Sequence, residues 1–484
     1  MSESLKQKTI SGMIWNGIER FGSSFFLFIS NIILARLLSP DDFGCIGMLF
    51  IFISISDTII DGGFGSALIQ KKDPTQADYS TIFFWNIFLS LFFYGVLYLS
   101  SPLIAKFYEI PLLSNVLKVQ GLILVLNALI LIQQNILKKQ VNFKKIAKIN
   151  IGAITIGTSA GIATAFLGFG VWSLVIKSLT TGVIQCIIYW LSSHWKPQWR
   201  FSGKSFISLF KFGSFMFLNG ICNNLYYNII SLILGKNFSA TSLGYYTQAK
   251  KVEDIPRNSL SSVITNVTFP VFSEMQNDLP KLRETATKCM KSIAVINFPL
   301  MILLIMIAKP LFILLFTDKW VQAIPYFQIL CLSGVATTLF ELNTNIIKSL
   351  GKSQLTFILE TMIRVIGVIA VVIGINWGVT GMLYGYTFSQ YIAYVITAIW
   401  VGKLTKYGVV HQCKNLFPIF FAAVIPAIIS YLISLFIETE YALLLTIQTV
   451  VYTLLYFGIS KLCNIKELNI LIAIIREKII GIKY

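Results

Sequence analysis

Apolar residues along this chain fall into fourteen long stretches, at 12–35, 43–68, 81–100, 116–136, 149–168, 171–191, 212–234, 243–274, 292–316, 324–347, 355–375, 379–402, 416–437 and 441–460. A helix of about 20 apolar residues covers the hydrocarbon core of a bilayer. The pattern therefore predicts an all-α, polytopic membrane protein with about 14 transmembrane helices. One stretch departs from the rest. The eighth, from Leu243 to Met275, carries Lys250, Lys251, Glu253, Asp254 and Arg257 inside a helical pattern. On a 100° wheel Lys250, Asp254, Arg257, Ser261 and Thr268 share one narrow face, and Val252, Val263 and Val267 lie broadly opposite. A charge facing lipid is expensive, so this polar face predicts a crossing helix turned toward an internal water-filled cavity.

Composition supports the membrane reading: of 484 residues 56% are hydrophobic and 12% charged, where a soluble domain carries about 25% charged residues. The net charge of +18 raises the question of nucleic acid, and the placement of the charges answers it. Of 39 Lys and Arg residues, 27 fall in connections on one side of the predicted membrane and 6 on the other, leaving 6 inside spans. That asymmetry predicts both termini in the cytoplasm and no nucleic-acid partner. It also tests the eighth span. If that span did not cross, the fourteen residues of the basic side that lie between Lys281 and Lys483 would change sides and the bias would largely vanish. The tail 461–484 alternates charge with Ile and Leu and predicts an amphipathic helix on the membrane surface. Seven scattered cysteines without a CxxC, and two distant histidines, His194 and His411, indicate neither a disulfide framework nor a metal site. The first apolar run is full length and lacks a cleavage site, so no cleaved signal peptide is expected.

The chain repeats at an offset near 200 residues. Leu34-Ala35-Arg36-Leu37-Leu38-Ser39, ending at Phe43-Gly44, matches Leu234-Gly235-Lys236-Asn237-Phe238-Ser239, ending at Leu243-Gly244. Ser101-Pro102-Leu103 returns as Lys309-Pro310-Leu311, Asn135-Ile136-Leu137-Lys138 as Asn345-Ile346-Ile347-Lys348, and Gly170-Val171 as Gly378-Val379. Six spans per repeat is even, so the copies share one orientation, as in transporters built from parallel repeats. The expected organisation is an N-lobe over 1–205, a C-lobe over 206–410, two further spans over 411–460, and the tail. Asp57 in the second span aligns with Arg257 in the eighth, so equivalent helices carry opposite charge at an equivalent depth.

These residues carry a resemblance. Leu34-Ala35-Arg36-Leu37-Leu38-Ser39-Pro40-Asp41-Asp42-Phe43-Gly44, together with Asp61-Gly62-Gly63-Phe64-Gly65-Ser66-Ala67-Leu68-Ile69, resembles the signature of bacterial polysaccharide exporters. These belong to the multidrug/oligosaccharidyl-lipid/polysaccharide superfamily. Gly244-Tyr245-Tyr246 through Ala249-Lys250-Lys251, then Pro256 and Phe269-Pro270, is similar to that family's eighth span. The nearest subgroup is the O-antigen, colanic-acid and teichuronic-acid type of flippase. The resemblance covers essentially the whole chain. It implies a protein of the bacterial cytoplasmic membrane that moves an undecaprenyl-diphosphate-linked oligosaccharide between leaflets by alternating access. It further implies a cationic cavity for the diphosphate, proton or sodium coupling without another cofactor, and a polysaccharide polymerase machinery acting nearby.

The candidate cavity cations are Arg20, Lys177, Lys250, Arg257 and Arg364, with Lys251 off the main polar face of its helix. Arginine offers a planar fork for two phosphate oxygens and lysine a mobile point charge. Against that, Arg20 beside Glu19 also fits a structural ion pair, and Lys177 is near enough to a span end to snorkel. The candidate acids for ion coupling or charge balance are Glu19, Asp57, Asp61, Asp254 and Glu341. Asp57 and Asp61 lie one helical turn apart, and Asp61, next to Gly62-Gly63, equally fits the end of a helix segment. Asn219, Asn223, Asn224 and Asn228 suit interhelical hydrogen bonds better than sugar contacts. Tyr226 and Tyr246 are candidates for stacking on sugar rings. External loops are short, 101–115 being the longest, which disfavours an external catalytic domain, and no GxxxxGK[ST] is present to power transport. A multidrug/cation antiporter of the same fold and a flippase for lipid-linked peptidoglycan precursor remain as alternatives.

Overall fold

The computed structural model describes residues 3–437 and 439–469, without the side chains of residues 3–14, 16, 18, 20, 21, 215 and 263. The outer part of the predicted amphipathic tail, from residue 470, and the Arg20 side chain lie outside the described residues. The fold is all-α: among the described residues there is no strand. Ten stretches are long and apolar enough to cross a membrane, or eleven if the bent pair Gly203–Ser214 and Met216–Asn237 counts as one span. One of the ten, Ser353–Thr405, takes in two of the predicted spans. The chain divides into two compact units, Met1–Thr247 and Gln248–Tyr484.

The first unit runs α1 (Glu3–Leu37), α2 (Pro40–Asp61), α3 (Phe64–Gln70), α4 (Gln76–Tyr108), α5 (Leu112–Gln120), α6 (Ile123–Lys139), α7 (Phe143–Phe166), α8 (Val171–Ser193), α9 (Gly203–Asn237) and the first turns of α10 (Ala240–Val263). Helix α7 packs between α1 and α8, α6 between α4 and α8, and α2 along α9. Helix starts are chemically marked. Ser39 and Asp42 form a capping box ahead of α2, as Thr75 and Asp78 do ahead of α4. The predicted span 43–68 is broken into α2 and α3 because Gly62 and Gly63 both adopt left-handed backbone, at φ 53° and 72°. Gly63 also lies against the Gly213 carbonyl of α9, where an added Cβ would come within 2.3 Å.

Helices α2 and α10 begin side by side, and two glycines make this possible. A Cβ at Gly44 would lie 1.8 Å from the Ala240 carbonyl oxygen, and one at Gly244 would lie 1.9 Å from the Pro40 carbonyl oxygen. These are equivalent positions of the repeat, so the contact is reciprocal. Thr241 Oγ1 donates to Asp41 Oδ1 at 2.5 Å beside it.

The second unit continues α10 through a π-helical turn, Ile264–Thr268, into α11 (Phe269–Glu274). Then come α12 (Leu279–Met306), α13 (Ala308–Phe316), α14 (Ala323–Ser349), α15 (Ser353–Gly374), α16 (Gly378–Thr405), α17 (Val409–Leu435) and α18 (Tyr441–Leu462). Helix α12 starts well before the predicted span because Asp278 caps it, accepting the Lys281 N–H at 3.0 Å. Its first turns are charged, and an apolar pattern alone cannot show a helix that extends past the bilayer. The π-turn stands where Pro270, two residues into α11, withholds an N–H. Beside it Asn345 of α14 donates to the Ile264 carbonyl at 3.5 Å and to Thr268 Oγ1 at 3.2 Å.

Helix α14 is the most enclosed element of this unit, packed against α12, α15 and α16. Polar side chains are buried along it: Ser333, Thr337, Thr344 and Ser349 donate to carbonyls of α14 itself, and others reach a neighbouring element. Asn297 of α12 donates to Thr338 Oγ1 at 2.6 Å. Asn343 and Gln412 of α17 exchange two hydrogen bonds, at 3.2 and 2.9 Å, with both side chains fully buried. Pro299 leaves the Val295 carbonyl of α12 without its helical donor, and Tyr456 of α18 supplies one at 2.9 Å. Tyr452, one turn earlier, donates to the Pro299 carbonyl at 3.1 Å.

Two predictions follow from this packing. Gly44→Val or Gly244→Val forces the helix starts apart at a cost of about 1–3 kcal/mol, read as a lower thermal midpoint of the purified protein. Gly95→Ala, at a position with nothing within 4 Å of an added Cβ, leaves the midpoint unchanged or raises it. Gln412→Leu strands the buried Asn343 amide at a cost of about 1–3 kcal/mol, and Asn343→Leu/Gln412→Leu restores much of the loss in a double-mutant cycle.

Candidate functional site

The charged half of α10 lies within the second unit. Glu253 is 3% exposed, and its carboxylate packs against Gly334 of α14, where an added Cβ would sit 3.1 Å from Oε1. Arg257 follows one turn later. Its Nε lies 3.2 Å from both oxygens of Glu253, donating to Oε2, and its guanidinium also pairs with Asp254. Helix geometry produces this clamp, since residues three and four apart share a face. Pro256 occupies the same turn inside the helix. Glu341 of α14, Tyr386 of α16 and Lys250 lie within electrostatic reach of this group. Glu253 Oε1 and Glu341 Oε2 are buried and accept no hydrogen bond. The arrangement is a cation balanced on its own helix, with acceptor capacity left over. Lys251 is exposed. Arg364 belongs to a further chain of ion pairs, bonded to Glu360 at 3.4 Å, which pairs with Lys348 at 3.1 Å, and Lys348 in turn lies within electrostatic reach of Glu341.

In the first unit the predicted acids are held mostly by amides. Glu19 of α1 accepts from Asn150 of α7 at 2.8 Å, and Asn150 in turn accepts from Gln185 at 3.3 Å and Tyr189 at 3.1 Å, both on α8. Asp57 accepts from Asn127 of α6 at 3.0 Å. Asp61 closes α2, and its Oδ1 takes the Gly65 N–H at 3.3 Å, satisfying an orphan donor at the start of α3. Lys138 lies within electrostatic reach of Asp61 and Glu19 while donating to Gln134 at 3.0 Å. Lys177 is set deep between helices. Its stem lies against Gly161 of α7, and its ammonium donates to Ser30 of α1 at 2.7 Å.

Asn224 and Asn228 are spent within and between helices. Asn224 donates to the Ser54 carbonyl at 2.9 Å and Thr58 Oγ1 at 2.7 Å, tying α9 to α2. Asn228 donates to Asn224 Oδ1 at 2.6 Å. Asn223 donates to the exposed Asn219 at 3.2 Å. Tyr226 is half-buried and Tyr246 fully buried. The residues that the charge pattern had not singled out are Glu253 and the amide partners Asn127, Asn150 and Gln185. The first is signalled by standing four residues before Arg257. The amides are neutral, and nothing in their local pattern marks them.

Comparison with known proteins places this arrangement. Residues 33–325 match the family described as polysaccharide biosynthesis protein. The chain is 25% identical over 356 residues to the teichuronic acid biosynthesis protein TuaB of Bacillus subtilis (strain 168), covering 73% of this chain and 74% of that protein. It is 25% identical over 397 residues to the lipopolysaccharide biosynthesis protein WzxC of Escherichia coli (strain K12), covering 81% of each. Among solved structures it is similar to the lipid II flippase MurJ in an inward closed conformation, with a TM-score of 0.76 over 93% of this chain and 98% of the other. At 16% identity that likeness speaks for the fold. The family match covers more than half of the chain and takes in the whole of α10 with Glu253, Asp254 and Arg257, and the chain accordingly belongs to the polysaccharide biosynthesis protein family.

Proposed function

We propose that this protein is a flippase, not an enzyme, and that it carries an undecaprenyl-diphosphate-linked oligosaccharide across the bacterial cytoplasmic membrane by alternating access. The observation that carries this reading is the family match over 33–325, which includes the one span built around an arginine clamp. The names of TuaB and WzxC tie those proteins to surface polymers, and MurJ shares the fold with a lipid-linked cargo. Both termini lie in the cytoplasm, following the Lys and Arg asymmetry, and a polymerase machinery takes up the delivered repeat unit.

In this reading Arg257 meets the diphosphate. Its guanidinium, held by Glu253 and Asp254, exchanges a carboxylate for phosphate oxygens, which suit the same planar fork. Lys250 adds a point charge on the same face, Arg364 is a further cation of the second unit, and Glu253 and Glu341 balance these charges. Of the first unit, Arg20 and Lys177 are proposed as head-group cations in their own right, and Glu19, Asp57 and Asp61 as the acids that balance them. Glu253 and Glu341 have unfilled acceptor oxygens with which to hold a proton or sodium ion while the arginine is engaged. Such coupling supplies the driving force in a chain without an ATP-binding loop.

The test is deletion of the gene in its host, with analysis of surface polymer and lipid-linked intermediates. Loss of polymer with accumulation of a repeat unit on the cytoplasmic leaflet is the expected result. Normal polymer with altered sensitivity to cationic drugs would overturn the reading in favour of an antiporter. Arg257→Ala leaves two carboxylates without their partner, which costs about 3–5 kcal/mol for a buried pair, so this variant loses both folded protein and polymer. Arg257→Ala combined with Glu253→Gln and Asp254→Asn is expected to recover folded protein, seen in the thermal midpoint, without recovering polymer.

A further inference from the structure

The connection between α8 and α9, residues 194–202, has no regular secondary structure, yet its main chain and inner side chains are fastened to the first turns of α4. Gln76 Nε2 donates to the Lys196 carbonyl at 2.7 Å, and Trp195 Nε1 donates to Gln76 Oε1 at 2.6 Å. The Gln198 N–H donates to Ser80 Oγ and the Ser202 N–H to Thr81 Oγ1, each at 3.0 Å. The Trp195 ring meets Tyr79 and Phe83 edge-on, at 6.2 and 5.6 Å between centroids. On α9 just beyond, Phe206 and Leu209 face the core cluster around Phe64 and Phe83.

The outer side of this strap is different. Trp199 is 93% exposed, its one face stacked on Phe84 with ring centroids 5.1 Å apart, and Phe201 is 60% exposed. On the first turns of α9, Ile207 is 70% exposed. Lys196, Arg200, Lys204 and Lys211 are exposed among them, and residues 194–211 contain no Asp or Glu. A loose loop could fold such aromatics away from water. This one is pinned at four points, so its apolar and cationic groups stay outward. In water that combination is a liability. At a bilayer interface it is matched: Trp and Phe sit at head-group depth, and Lys and Arg meet lipid phosphates.

We propose that residues 194–211 form a strap that binds the anionic surface of the leaflet on the face carrying most of the Lys and Arg residues, with Trp199 seated among the lipid head groups. The charge complementarity favours anionic lipid over zwitterionic lipid or an acid-free protein surface. Bound this way, the strap holds the start of α9 at a fixed depth, while its hydrogen bonds to α4 pass that anchoring to the rest of the first unit.

The test uses the full-length protein in bilayers of phosphatidylcholine containing increasing phosphatidylglycerol. The emission of Trp199 is taken as the difference between wild type and Trp199→Phe. It is expected to shift to shorter wavelength and to be quenched by brominated lipid, with protection from aqueous iodide, as phosphatidylglycerol rises. Each of Lys196→Gln, Arg200→Gln and Lys204→Gln is expected to weaken the equilibrium for seating Trp199 by about fivefold at a given phosphatidylglycerol fraction, the loss of one cation–surface attraction. Trp199 emission open to iodide and insensitive to brominated lipid at every composition would overturn the proposal and leave the strap as an aqueous surface for a protein partner. Quenching by brominated lipid that does not depend on phosphatidylglycerol would overturn its anionic part. An unchanged thermal midpoint in the lysine and arginine variants separates loss of lipid contact from loss of fold.

Discussion

A helix that bends or breaks inside hydrocarbon releases amides and carbonyls that have no water to turn to. Most of the polar detail in this protein answers that constraint. The Val295 carbonyl freed by Pro299 is taken by Tyr456, and at the π-turn the Ile264 carbonyl accepts from Thr268 and Asn345. Asp61 turns back to collect the amide that the Gly62-Gly63 break leaves open at α3. In each case the irregular turn sits on one element and its remedy on that element or a packed neighbour. The irregularities and the buried polar residues are therefore a single design, and removing either member exposes the other.

The same logic governs charge. Arg257 sits deep in α10 because the acids three and four residues before it pair with it directly. Pairing within one helix leaves neighbouring helices free to bring other groups to the site, as α14 does with Glu341. In the first unit, acids are held by Asn127 and Asn150, uncharged donors that stabilise a carboxylate without cancelling it. One unit thus stores a compensated cation and the other keeps anionic character under hydrogen-bond control.

Much of the fold was readable from apolar run length, because a bilayer-crossing helix has a fixed minimum length. Every predicted stretch coincides with a helix or with a pair of helices separated by a short break. Gly44 and Gly244, which the sequence aligns at an offset of 200, both need a hydrogen where any other residue has a Cβ. The π-turn escaped, since Pro270 announces a disturbance without saying which kind. Helix extensions beyond the membrane escaped for the opposite reason, their charged turns at Lys281 to Lys288 being indistinguishable from loop by hydropathy. At the candidate site, charges drew attention and amides did not. Glu253 stands well off Asp254 on the helical wheel, so a single polar face drawn through Lys250, Asp254 and Arg257 passed it by. Only the packing against Gly334 shows how deeply it is enclosed.

The bond from Tyr456 to the Val295 carbonyl spans 161 residues of chain. A ribosome adding about 5–20 residues per second needs roughly ten to thirty seconds to cover that distance. Throughout that interval α12 has already been made, with a proline-orphaned carbonyl and no hydroxyl to meet it. Helix α18 therefore completes the packing of α12 in time as well as in space. A chain cut short before Tyr441 carries an open acceptor at membrane depth, a chemical mark by which an unfinished copy differs from a finished one.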